Sequence, residues 1–201
     1  MSPPAGSSTL HILPRSSDAN DELVADRYRQ VDAGGVEGAG VFHCAEPLIK
    51  YSGCYVRNRM EGPGILEFPD GDKYFGEYSG GNREGYGVYE SSQCVFSGEF
   101  LCNQRYGMGV EMWRDGTIYY GGVSGKTRDG YGVVHLPSGA IYYGEHKNGH
   151  PDGKAVQETD SGERTFDEVE AGMVTSRMPF DASDQQHQAV LGAALEAKVR
   201  G

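Results

Sequence analysis

From about Tyr28 to Thr165 the hydrophobic and polar positions recur on a clock of 22 or 23 residues. Each cycle opens with an aromatic, any residue and Gly: Tyr51-Ser52-Gly53, Tyr74-Phe75-Gly76, Phe96-Ser97-Gly98, Tyr119-Tyr120-Gly121 and Tyr142-Tyr143-Gly144. Early cycles carry a second ring four residues on, at Tyr55, Tyr78 and Phe100. Period-two alternation puts both rings and the intervening Gly on one face of a β-strand. Eleven residues after each opening comes Gly-x-Gly: Gly62 and Gly64, Gly85 and Gly87, Gly107 and Gly109, Gly130 and Gly132, then a degraded Gly153-Lys154-Ala155. A second strand is expected to begin there and run into Ile65-Leu66, Val88-Tyr89 or Val133-Val134. Between the strands stand Asn58, Gly81, Asn103, Lys126 or Gly149, mostly types that tolerate a left-handed backbone. Turn sequences close each cycle: Pro69-Asp70-Gly71, Arg114-Asp115-Gly116, Pro137-Ser138-Gly139 and Asp160-Ser161-Gly162. One cycle is thus one hairpin. The pattern predicts an all-β chain, an elongated single-layer antiparallel sheet of consecutive β-hairpins with a short C-terminal α-helix.

The chain has 31 glycines in 201 residues, about twice the usual share, although glycine weakens a strand. Aromatic rings lying over glycines of the neighbouring strand account for them, because a Cβ would block that contact. On this reading Gly62, Gly64, Gly85, Gly87, Gly107, Gly109, Gly130 and Gly132 are structural and share the aromatic face. Ile65, Val88, Val110, Val133 and Val156 then point the other way.

Tyr-x-Gly-Glu-aromatic, Gly-x-Gly and Asp-Gly on this period resemble the MORN (membrane occupation and recognition nexus) repeat. The Glu of the first phrase stands at Glu77, Glu99 and Glu145. The resemblance covers roughly Arg27 to Gly172, with five clear units and two degenerate ones. Two features depart from it. Where the family often has His before Gly-x-Gly, this chain has Glu37, Glu61, Glu84, Tyr106, Asp129 and Asp152. Val123 and His146 replace the second aromatic in later units, which predicts fewer rings toward the C-terminus. The resemblance implies a scaffold in cytoskeletal, ciliary or flagellar assemblies, in some members a homodimer joined through terminal repeats, and a phospholipid-binding role long attached to the family name.

Composition narrows these options. The formal net charge is −11, and between Tyr51 and Arg164 there are 11 basic against 16 acidic residues. That balance disfavours nucleic acid and an anionic membrane, with a local basic patch such as Arg57, Arg59 and Arg83, at neighbouring hairpin loops, as an exception to the average. No stretch reaches the ~18–20 apolar residues of a membrane span. Cys44, Cys54, Cys94 and Cys102 form no close pair, which fits reduced thiols in the cytoplasm. Residues 1–26, rich in Ser, Pro and Asp, are expected to be a disordered tail; the repeat array spans 27–172, and 173–201 form a linker and helix. Asp181 or Ser183 is the expected cap of a helix over Gln185–Val199, which docks either on its own sheet or on a partner.

No catalytic group, cofactor site or metal site is expected. His146 and His150 would suit zinc on a helix, but Gly149 and Pro151 place them in a hairpin, and His43-Cys44 is no stronger. The Gly-x-Gly copies open no helix, as a dinucleotide fingerprint requires. The expected function is therefore non-enzymatic: a protein partner, as a helix or extended peptide, bound in an aromatic groove of Tyr51, Tyr55, Tyr74, Tyr78, Phe96, Phe100, Tyr119 and Tyr142. The expected setting is the cytoplasm, at the cytoskeleton or axoneme. A phospholipid-associated adaptor and an accessory subunit targeting an enzyme on another chain are the alternatives.

Overall fold

A computed structural model describes residues Gln30–Val31, Gly35–Val36, Gly38–Cys44 and 49–200. The expected tail over 1–26 lies outside the described residues. The chain divides into two compact units, Met1–Ser92 and Gln93–Gly201. In the first, β1 (Gln30–Val31) and β2 (Gly35–Val36) form a minimal pair. β3 (Gly38–Cys44), β4 (Ile49–Val56), β5 (Arg59–Glu67), β6 (Lys73–Ser79) and β7 (Asn82–Glu90) then pair strictly with their neighbours in sequence. In the second, the same meander runs through β8 (Cys94–Leu101), β9 (Gln104–Trp113), β10 (Ile118–Gly125), β11 (Thr127–His135), β12 (Ile141–Lys147), β13 (His150–Glu158), β14 (Arg164–Glu170) and β15 (Met173–Pro179). All pairings are antiparallel, and α1 (Gln185–Arg200) follows.

The hairpin turns use left-handed backbone where expected, at Asn58 (φ 66°), Gly81 (φ 93°), Asn103 (φ 70°) and Gly149 (φ 87°). In the fourth repeat Gly125 (φ 63°) takes that role in place of Lys126. The turns between repeats share one hydrogen-bond pattern. Phe68, Trp113, Leu136 and Thr159 each donate their N–H to the carbonyl four residues on, all at 2.9 Å. Their own carbonyls accept from the glycine N–H three residues on, at 3.0 Å.

The second strand of each hairpin begins earlier than expected. β5, β7, β9, β11 and β13 start at the turn, so Gly-x-Gly lies inside the strand as a bulge. Opposite it the register slips, as between Gly53 and Cys54 or Gly98 and Glu99. The first glycine supplies the bulge conformation, with φ from 69° to 85° at Gly62, Gly85, Gly107 and Gly130. Proximity in sequence disguised this division: one glycine bends the strand and the other receives a ring.

In the second unit the face opposite the rings carries its own core. Val133, Tyr143, Val156 and Phe166 lie beneath Val190, Leu191 and Ala194 of α1. The helix therefore docks on its own sheet. Its cap is Asp184, whose Oδ1 accepts from the N–H groups of Gln186 (2.7 Å) and His187 (3.2 Å), rather than Asp181 or Ser183. Asp181 instead binds the Ser183 N–H at 2.8 Å. Its own N–H donates to His187 Nδ1, and that imidazole stacks on Phe166 with ring centres 3.9 Å apart.

Candidate interaction face

The ring-bearing face is built by one contact repeated. Tyr51 lies over Gly53 and Gly64, Tyr74 over Gly76 and Gly87, Phe96 over Gly98 and Gly109, and Tyr119 over Gly121 and Gly132. A Cβ on Gly121 would stand 2.5 Å from the Tyr119 hydroxyl, so only glycine fits beneath the ring. Each tyrosine also donates its hydroxyl to the carbonyl three residues on: Tyr51 to Cys54, Tyr74 to Glu77, Tyr119 to Gly122 and Tyr142 to Glu145. That acceptor sits beside the register slip, so the ring both covers the glycines and ties down the strand at the bulge. Glu99 and Glu145 set a carboxylate against the bulge glycines Gly107 and Gly153, which gives the recurrent Glu a structural role.

The second rings join the first into a ladder. Tyr78 meets Tyr74 of its own repeat and Tyr51 of the preceding one edge to face, with centres 5.4 and 5.2 Å apart. Tyr51 meets Tyr55, and Phe96 meets Phe100, in the same way. Where the second ring becomes His146, the ladder continues: the imidazole stands edge to face between Tyr119 and Tyr142. Such pairs add about 0.5–1.5 kcal/mol beyond area burial. His146 is 2% exposed and neither ring nitrogen has a hydrogen-bond partner. Burial, assisted by the Arg128 charge, lowers its pKa to about 4. Burial likewise raises the Tyr74 hydroxyl to about 12 and lifts Tyr51, Tyr78, Tyr119 and Tyr142.

This packing corrects the expectation of an open groove lined by ring faces. Tyr51, Tyr74, Tyr78, Phe96, Phe100, Tyr119 and Tyr142 are buried, and only Tyr55 is half-buried. The physical reason is that a one-layer sheet has no second layer for its rings, so they lie down on their own backbone. Above three of them sits a guanidinium that sequence reasoning missed: Arg83 over Tyr74, Arg105 over Phe96 and Arg128 over Tyr119, at 5.5, 4.5 and 4.6 Å. The signal was legible, since each Arg follows its aromatic by nine residues. In the second unit Arg105 and Arg128 converge on buried Glu111 at 3.2 and 2.9 Å, and Trp113 Nε1 donates to it at 3.3 Å.

The basic patch does not assemble. Arg83 is folded onto the ring face, while Arg59, opposite Val56, belongs to the reverse face. Two of the acids before Gly-x-Gly act as turn anchors: Glu61 accepts from the Gly80 N–H at 2.8 Å and Asp152 from the Ala171 N–H at 3.1 Å. His146 and Lys147 alternate along β12, and His150 pairs with Lys147, so the two histidines occupy opposite faces. Among the described residues no three His, Cys, Asp or Glu side chains cluster closely enough to hold a metal ion.

On the ring face of the second unit a cleft of about 580 Å³ opens over Val134, Tyr142 and His146. Thr117, Gln157 and Thr165 line it with polar groups, and Arg128 and Arg177 bring two guanidiniums. Arg177 is itself held by a bidentate pair with buried Asp167, at 2.9 and 2.6 Å.

No curated protein matches the chain. Among solved structures it is similar to the SAS-4 (dCPAP) TCP domain of Drosophila melanogaster in complex with a proline-rich motif of Ana2 (dSTIL), at 12% identity and a TM-score of 0.38, covering 85% of this chain and 97% of that one. It is also similar to the wild-type TCP10 domain of Danio rerio CPAP in complex with a peptide of Danio rerio STIL, at 11% identity and a TM-score of 0.32, covering 72% and 75%. The family model of the MORN repeat matches residues 51–73, 74–93, 96–118 and 119–141. The four matched spans coincide with the four hairpins in which a ring lies over two glycines. Residues 51–141 are thus four consecutive MORN repeats.

Proposed function

We propose that the protein is a non-enzymatic interaction scaffold that holds a partner's extended peptide or helix on the ring-bearing face of its repeats. The observation that carries this reading is the cleft over Val134 and Tyr142. It combines an apolar floor with polar and guanidinium groups that can align a peptide backbone and its side chains. Within each unit the rings, Tyr51, Tyr55, Tyr74 and Tyr78 in the first and Phe96, Phe100, Tyr119 and Tyr142 in the second, serve as a floor rather than as the contact surface itself. Partner contacts then fall on what stands above the floor, such as Trp113, Gln157 and Arg177. Rigidity helps because a preformed surface loses little conformational entropy on binding. Resemblance to MORN-repeat proteins supports a cytoskeletal, ciliary or flagellar assembly, and cysteines that form no close pair in the sequence support a cytoplasmic setting. An accessory subunit that brings an enzyme to its place would use the same face.

A photo-crosslinking residue at Thr165, combined with Gln157→Trp to fill the cleft, tests the reading. We expect a discrete partner crosslinked at Thr165 in cells, and at least a tenfold loss of its capture on Gln157→Trp with an unchanged thermal midpoint. Undiminished capture by the filled cleft would place the partner elsewhere.

A further inference from the structure

The reverse face, away from the rings, carries one uninterrupted row of paired side chains in each unit. In the second unit Val110, Tyr120, Val133, Tyr143, Val156 and Phe166 oppose one another in register from β9 to β14. α1 lies across this row, packing on β9 through β13. In the first unit the corresponding row is Val41, Ser52, Ile65, Phe75 and Val88, each directly opposite the next from β3 to β7. No helix of the described residues packs on those strands. Ile65 and Phe75 are 37% and 36% exposed, whereas Val133 and Val156 beneath α1 are both 0% exposed.

Carboxylates rim the bare row, and those on its turn side recur at matching positions of the covered one, Glu99, Asp129, Glu145 and Asp152. At the bare row's turn side stand Glu61, Glu77 and Glu84, placed on this face by alternation with Gly76, Tyr78 and Arg83. At its other end are Glu67 and Glu90, with Lys50 and Lys73 drawn onto Glu67 at 2.6 and 3.9 Å. Adding Arg59, five carboxylates face three basic groups around an apolar centre. Under α1 the position matching Glu67 is His135, whose Nε2 lies 2.9 Å from Lys198 Nζ. The first unit thus offers a carboxylate, Glu67, at the place where the second offers the His135 imidazole to a helix cation.

We propose that the reverse face of the first unit is a docking surface for a basic amphipathic helix of a partner protein, lying across the strands as α1 does in the second unit. Five strands at ~4.8 Å give a row about 19 Å long, which matches roughly 13 helical residues at 1.5 Å each. The occupant carries small or aliphatic residues at helical spacing against Ile65, Phe75 and Val88, and Lys or Arg beside them. A second copy of this chain suits the surface poorly, because each copy has a formal net charge of −11. The surface is separate from the ring-face cleft, so either assignment can fail without the other.

The test uses the full chain and two synthetic 16-residue helices with an identical Leu/Ala stripe, one bearing lysines on its polar face and the other glutamates. We expect micromolar binding of the lysine helix alone, with amide shifts concentrated at Ile65, Phe75 and Val88. Ile65→Gln with Phe75→Gln should weaken it at least tenfold. Glu77→Gln with Glu84→Gln, which leaves the apolar row intact, should weaken it about threefold and reads the proposal even if the first pair disturbs folding. Equal binding of the glutamate helix, shifts on the ring face, or no binding at millimolar peptide would each overturn the proposal. So would sedimentation showing a dimer of the chain that Phe75→Gln dissolves.

Discussion

The two reverse-face rows are built from the same repeat, yet one is a core and the other a surface. Val133 and Ile65 follow their opening aromatics by 14 residues each and sit at equivalent places in their hairpins. The repeat itself finishes only the ring face, where aromatics, glycines and arginines close over one another without help from another layer. The reverse face is completed by something added to the repeat, and in the second unit that addition is α1. Hydrophobic pattern alone therefore does not tell a core position from an exposed one in a one-layer sheet.

A carboxylate placed on both rows breaks the comparison most sharply. Val133→Asp buries a charge with no partner beneath Ala194 and should cost about 4 kcal/mol or more. Ile65→Asp, at a partly exposed site, should cost only about 1 kcal/mol. Urea unfolding followed by amide hydrogen exchange in each unit gives both numbers. Similar costs at the two positions would show that α1 is not what makes the second row a core.

A smaller contrast separates the two glycines of one repeat. Gly132 lies under the Tyr119 ring, and an added Cβ would collide with it, so Gly132→Ala should cost about 3 kcal/mol by overpacking. Gly130 has φ 85° and open space around it. Gly130→Ala should therefore cost about 1–2 kcal/mol, from left-handed backbone strain alone. Thermal unfolding orders the two variants, and a reversed order would mean the ring can move aside.

His146 sharpens the comparison along the ring ladder. Its folded pKa of about 4 lies below the ordinary 6.5, so the unfolded chain takes up the proton first as pH falls. The stability of neutral His146 is present in full above about pH 6.5 and is lost as pH falls from there through 4. His146→Phe removes two unpartnered nitrogens and this titration together. At pH 5 the variant should gain about 2 kcal/mol over the parent, relative to the difference at pH 7. Equal gains at both pH values would mean that the imidazole is not held neutral in the folded state.

The period, the inter-repeat turns, the left-handed turn residues and the seating of rings on glycines were all legible in the sequence, because each recurs several times. Features that occur once were not. Asp184 competes with Asp181 and Ser183 as a cap within four residues, and only the positions of the Gln186 and His187 N–H groups decide among them. Whether α1 meets its own sheet depends on Tyr143 and Phe166 facing Val190 and Leu191, contacts between distant segments with no local signature. Whether the aromatic groove stands open is illegible in the sequence for a different reason. Alternation places a ring on a face but does not say whether it stands up from that face or lies along it. Bare glycine backbone leaves room for it to lie down, as Phe96 does without a hydroxyl, and at the tyrosines the hydroxyl bond to the carbonyl beside the register slip ties it there.

Those hydroxyl bonds permit the finest comparison, between two tyrosines four residues apart in β6. Tyr74 donates to the Glu77 carbonyl at 3.2 Å, whereas the buried Tyr78 hydroxyl has no partner. Both Tyr→Phe changes remove one oxygen and leave a ring of the same shape in the same ladder. Tyr74→Phe deletes a hydrogen bond and leaves a carbonyl less satisfied, a loss of about 1 kcal/mol. Tyr78→Phe relieves a desolvated hydroxyl, so its effect should be zero or a gain of up to about 1 kcal/mol. Opposite signs are expected in urea unfolding of the first unit, followed by tyrosine fluorescence or amide exchange. A loss at both positions of equal size would mean that the Tyr78 hydroxyl finds a partner in solution, and that the second ring position is tied down in the same way as the first.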